Sequence, residues 1–138
     1  YNKYSHIVSL EKENNMQWVK QYKLTLVVIL LILVAILMPG DSVPSVGIPG
    51  MDKLVHFGMF FTLSGTFCLE YVWQYKCMPR MLYTFLGLFI FAFMTEVVQL
   101  FAVSRSFDLK DLVADTIGFV VAALLWKAYM TLIHKKKA

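Results

Sequence analysis

Four apolar stretches alternate with short polar ones along this chain, from about Leu24 to Met38, Leu54 to Tyr75, Met81 to Val103 and Asp111 to Ile133. A helix crosses the hydrocarbon core of a bilayer with about 20 mainly apolar residues, so each stretch predicts one membrane span. The first is short. Its strict apolar run reaches only about 22 Å, and Trp18, Val19 and the snorkelling stem of Lys23 are expected to complete it. Between the first two spans, Pro39, Pro44, Pro49, Gly40, Gly47 and Gly50 deny the chain a helix and predict a turn-rich loop. Shorter turns follow at Gln74 to Arg80 and Ser104 to Lys110. The expected fold class is all-α: a polytopic membrane protein with four transmembrane helices. Residues 1–23 form a polar tail, 24–133 the helical domain and 134–138 a basic tail.

Composition supports a bilayer as the solvent. Of 138 residues, 59% are hydrophobic and the mean hydropathy is +0.63, too apolar for a water-soluble domain of this size. Four spans leave no room for a soluble catalytic domain. The formal charge of +4 is distributed as a topology signal, not as a nucleic-acid patch. Ten Lys and Arg residues fall at the termini, the 74–80 turn and Lys127, against three (Lys53, Arg105, Lys110) on the other side. The richer side usually stays inside, which predicts that both termini are cytoplasmic. Lys20 and Lys23 ahead of an apolar run resemble a signal peptide, but no small-residue cleavage site follows, so a retained helix is expected. Cys68 and Cys77 have neither CxxC spacing nor a disulfide framework and read as free thiols.

Against this background three polar clusters stand out. Asp52, Lys53 and His56 open the second span, and Asp52 and His56, four apart, share a helix face. Glu96 and Gln99 share a face of the third. Asp108, Asp111 and Asp115 follow i, i+3, i+7 into the fourth, and Gly118 and Ala122 continue that stripe with small residues that allow close helix approach. Charged groups at membrane depth cost roughly 2.5 to 3.5 kcal/mol each and usually face a protein interior or wet cavity. All three clusters approach the membrane from the extracytoplasmic side. They predict one outward-facing polar pocket of Asp52, Lys53, His56, Glu96, Gln99, Arg105, Asp108, Asp111 and Asp115.

Several chemistries fit those residues. His56 is either polar glue between helices, bonded to Asp52 or Glu96, or a general base with Glu96 or Asp115 as its acid partner. Arg105, Lys53 and Lys110 offer contacts to an anionic head group, or else Arg105 pairs with Asp108 or Asp111 and neutralises the cluster. One His among carboxylates can hold a divalent cation, but no HExxH pair or second intramembrane His is present, so no metal or other cofactor is expected. Glu70 reads as an interfacial acid beside Lys76. The Phe and Met residues at 57–61 and 85–94 read as packing or lipid-facing groups.

The strings D-K-L-V-H-F at 52–57, E-V-V-Q at 96–99 and R-S-F-D-L-K-D-L-V-A-D-T-I-G at 105–118 resemble the signature of the VanZ-like family, small multi-span bacterial membrane proteins. The resemblance covers about residues 24–130 and departs from the pattern at Asp115, where that family carries Asn. It implies the bacterial cytoplasmic membrane and a link to low-level resistance to the glycopeptide teicoplanin. The leading expectation is therefore a protein that binds or handles a cell-envelope lipid, glycolipid or lipid-linked precursor. Two alternatives stand beside it: an intramembrane enzyme acting on a lipid-linked ester or phosphate, and a small subunit of a homo-oligomer or larger membrane complex. No nucleic-acid partner is expected.

Overall fold

The structure is a computed structural model that describes residues 17–37, 50–101 and 108–137. Four helices account for nearly all of them: α1 (Lys23–Leu37), α2 (Met51–Tyr75), α3 (Met81–Phe101) and α4 (Leu109–Lys137). No strand occurs among the described residues, in keeping with the all-α expectation. Arg105 and all but Gly50 of the loop expected from Pro39 to Gly50 lie outside them.

The helix ends follow local chemistry. Gly50 precedes α2 at φ 82°, a left-handed conformation that costs a glycine little. Lys76 closes the same helix at φ 56°, its N–H donating to Val72 O at 2.9 Å. Asp108 caps α4: its Oδ1 accepts the Lys110 N–H at 2.9 Å, and its carbonyl accepts the Asp111 N–H at 3.0 Å. α4 runs to Lys137, about one turn beyond the expected end at Ile133. Lysines are good helix formers, and a cation complements the helix C-terminus.

Length and composition qualify two of the four helices as candidate membrane spans, Met81–Phe101 and Leu109–Lys136. The four-span expectation is thus met in part, for identifiable reasons. α1 is apolar but has only 15 residues, about 22 Å. α2 has the length, 25 residues, but includes Asp52, Lys53, His56 and Glu70. In the apolar windows of the two qualifying helices only 17% and 22% of residues are buried, unlike the core helix of a soluble protein. Leu82, Leu86, Ile90 and Phe93 on α3, and Val113, Ile117 and Leu124 on α4, all face outward.

α2 is the central element and packs most closely on α4. Their seam is built from small residues. A Cβ at Gly118 would collide with the Phe57 carbonyl oxygen and lie 3.1 Å from the Phe61 nitrogen, so only glycine permits this approach. Below it, Ser64 Oγ donates to Phe119 O at 3.0 Å, and Cys68, Ala122 and Ala123 are buried. The apolar core joins Ile32 and Ile36 of α1, Phe60 and Leu63 of α2, Ala92 of α3, and Leu112 and Phe119 of α4. Both cysteines are free thiols.

At the opposite end from the polar clusters, the Glu70 carboxylate satisfies the start of α1. It accepts the Leu24 N–H at 2.8 Å, the Thr25 N–H at 3.0 Å and the Thr25 hydroxyl at 2.7 Å. Helix N-termini leave unpaired N–H groups, and a carboxylate from another helix both accepts from them and complements the dipole. Glu70 is buried; the interfacial acid beside Lys76 is in fact a tertiary cap.

Candidate functional site

The first turns of α2 and α4 and the last turns of α3 meet at one end of the bundle, and the predicted polar residues meet there with them. His56 is at the centre. Its Nδ1 lies 3.0 Å from Asp115 Oδ1 on α4 and 3.7 Å from Glu96 Oε1 on α3. Its Nε2 lies 3.9 Å from Asp111 Oδ2. The imidazole is thus set among carboxylates from two other helices. The hydrogen-bond partner is Asp115, not the Asp52 or Glu96 expected for a glue histidine. Asp52, His56 and Asp111 also bring one ligand atom each within 4.8 Å of one another.

Burial divides the cluster into a core and a rim. His56, Glu96, Gln99 and Asp115 are 0–3% exposed, and Asp111 is 7% exposed. Lys53 and Asp108 each have 40% of their side chain exposed. Lys53 Nζ stands 3.5 Å from Asp108 Oδ2 and 3.4 Å from Asp111 Oδ1, so this lysine is engaged by acids. The Lys110 N–H, joined by Lys53, holds the Asp108 carboxyl below its ordinary range. Arg105 lies outside the described residues.

Three core atoms have no hydrogen-bond partner among the described residues: Glu96 Oε1, Gln99 Nε2 and Asp115 Oδ2. Such atoms are uncommon in folded proteins because leaving one unpaired costs about 1 to 3 kcal/mol. The expected pocket is, in its lower part, a packed polar core. Surface grooves occur elsewhere, one of about 560 Å³ between Cys77, Met81, Lys127 and His134 at the other end of the bundle. His56, Glu96 and Asp115 line none of four such grooves.

Sequence spacing brought these groups to common helix faces but missed two buried contacts between helices. Glu70 reaching Thr25 and Ser64 reaching the Phe119 carbonyl are tertiary contacts across 45 and 55 residues. The only local signal for Glu70 was an acid in an otherwise apolar span.

A bundle of outwardly apolar helices with an acid–imidazole cluster buried at one end defines a class of membrane-type helical protein. The model of the VanZ/LLP1 family matches residues 4–133, and the chain belongs to that family. It is also 32% identical over 122 residues to uncharacterized protein C11E3.10 of the fission yeast Schizosaccharomyces pombe, a match spanning 86% of this chain and 68% of that protein. No solved structure matches.

Proposed function

We propose that this is a multi-span membrane protein whose four helices all cross the bilayer, with both termini cytoplasmic. Its polar end takes the head group of a membrane lipid or glycolipid at the extracytoplasmic face. The observation that carries this reading is an ion-rich cluster at one end of helices whose outer faces are apolar. At roughly 2.5 to 3.5 kcal/mol per intramembrane charge, fastening alone is a weak reason to keep such a cluster, because the Gly118 seam and Ser64 already join α2 to α4. α2 spans on this reading because Lys53 and Glu70 are about 26 Å apart along its axis, near its two ends.

The rim favours one class of head group. Lys53 is already held by Asp108 and Asp111, and acids outnumber cations among the described residues of the cluster, so sugar hydroxyls or amines fit better than a bare anion. In a bacterial cytoplasmic membrane that description suits lipid-linked envelope precursors, the setting in which a link to teicoplanin-type glycopeptides makes physical sense. The fission-yeast relative extends the reading to head groups found in other membranes.

Native mass spectrometry of the full chain in mild detergent tests this proposal. A co-purifying polar lipid, depleted in the Asp108→Ala variant at the rim, is the expected result; a chain that emerges free of lipid under conditions that preserve its helices removes the reading. A second reading, general-base catalysis, draws on the 3.0 Å contact of His56 with Asp115, since a carboxylate that orients an imidazole is a recurrent acid–base arrangement. It requires turnover of a lipid-linked ester or phosphate by purified protein, abolished by His56→Ala.

A further inference from the structure

The geometry points to a divalent transition-metal site between α2, α3 and α4, formed by His56 Nδ1 and the carboxylates of Glu96 and Asp115. It goes beyond the head-group reading and does not depend on it, because the site lies in the packed core below the rim.

The donors are spaced within a few tenths of an ångström of a ligand set. A cation held at about 2.0 to 2.2 Å by nitrogen and oxygen donors keeps neighbouring donors about 3.0 to 3.5 Å apart. Nδ1 is 3.0 Å from Asp115 Oδ1 and 3.7 Å from Glu96 Oε1, and the ligand atoms of His56, Glu96 and Asp115 all lie within 4.8 Å of one another. These three side chains are no more than 2% exposed, so water does little to offset their charge.

Two independent observations single out a cation. Glu96 Oε1 and Asp115 Oδ2 are buried acceptors with no partner among the described residues, and Glu96 Oε1 faces the imidazole nitrogen. Carboxylates can only accept when ionised, so a species that supplies positive charge to both is what they need. The other ring nitrogen then completes a recognised arrangement. A metal-bound histidine almost always presents its second N–H to a carboxylate, and Nε2 faces Asp111 Oδ2 at 3.9 Å. Two carboxylates neutralise one divalent ion. A mixed nitrogen and oxygen set of this kind suits zinc or manganese. On binding, the ion replaces the hydrogen shared by Nδ1 and Asp115, and that proton leaves to solvent.

The test uses the full chain in mild detergent, stripped with EDTA and then dialysed against zinc or manganese alone. One ion retained per chain is expected, with X-ray absorption reporting an imidazole and oxygen donors and no sulfur. Glu96→Gln and Asp115→Asn should lose retention while helix content by circular dichroism is kept, and Asp111→Asn should weaken it by about 10- to 100-fold. Three results overturn the proposal: helical wild-type protein that retains neither ion, zinc held through Cys68 or Cys77 sulfur, or variants that bind undiminished. Should the variants fail to fold, the absorption spectrum of the wild-type protein decides alone.

Discussion

The carboxylate of Glu70, near the C-terminal end of α2, accepts both the backbone N–H and the hydroxyl of Thr25, at 3.0 and 2.7 Å, and so ties the start of α1 to the central helix. Hydrogen bonds to a charged group are worth about 1.5 to 3 kcal/mol. Glu70→Ala should therefore lower stability by about that much or somewhat more, and Glu70→Gln, which keeps one acceptor oxygen, by less. Thermal unfolding followed by circular dichroism in detergent measures the difference. Equal melting temperatures for the wild type and the alanine variant would show that α1 docks without this cap.

Gly118 offers a test whose sign is diagnostic. At an ordinary helix position, replacing glycine with alanine gains about 1 kcal/mol from helix propensity. Here the added methyl meets the Phe57 carbonyl oxygen, a backbone atom that cannot rotate away. Overpacking of this kind costs about 1 to 3 kcal/mol, so Gly118→Ala should destabilise. A stabilised variant would mean that α2 and α4 are farther apart than described.

How much of this was legible in the sequence divides along the range of the interactions. The i, i+4 and i, i+3, i+7 spacings placed His56, Glu96 and Asp115 on helix faces, and the polarity of those faces in an apolar chain marked them as inward. Periodicity does not say which acid meets which base. It left His56 a choice of partners, and the structure pairs it with Asp115 across 59 residues. It offered Arg105, which lies outside the described residues, as the cation for Asp108 or Asp111, and it did not show that Lys53 reaches both acids. The four-span expectation is met by length and hydropathy for two helices; α2 falls short because it carries charges whose partners lie on other helices, and an average along one segment cannot see that they are satisfied.

Acid should loosen the contact between Asp108 and Lys53 at the rim. The Lys110 N–H and then the Lys53 ammonium hold the Asp108 carboxyl below its ordinary value, with Asp111 the other acid on that lysine. A folded-state value below the unfolded one means that Asp108 contributes its full stabilisation above the ordinary aspartate range and loses it as pH falls through the folded-state value. Asparagine keeps the helix cap but cannot titrate. The gap in melting temperature between wild type and Asp108→Asn should thus be present at neutral pH and shrink only once the pH has fallen below the ordinary aspartate range. A gap that does not change with pH would show that the contact with Lys53 does not depend on ionisation.

Orientation can be read directly on single-cysteine chains. With Cys68 and Cys77 replaced by serine, Asp52→Cys should react with a membrane-impermeant maleimide added from outside, and a cysteine at Lys135 should react only after the membrane is opened. These two positions lie at opposite ends of the bundle. Labelling of both from the same side would contradict an odd number of crossings between them.

Asp115 is where packing and charge are most tightly coupled, because its side chain is fully buried and one of its oxygens has no partner among the described residues. Removing one member of a buried ionic pair leaves the other uncompensated, at a cost of about 3 to 5 kcal/mol, so Asp115→Ala should be severely destabilising. Asparagine, which the VanZ-like pattern carries here, has the same shape and can still bond the imidazole through its amide. Asp115→Asn should therefore keep most of the stability while removing the formal charge. Equilibrium unfolding in detergent separates the two: an alanine variant as stable as the asparagine one would show that His56 does not depend on Asp115, and that the Gly118 seam, the Ser64–Phe119 hydrogen bond and the Lys53 contacts suffice to join α2 to α4.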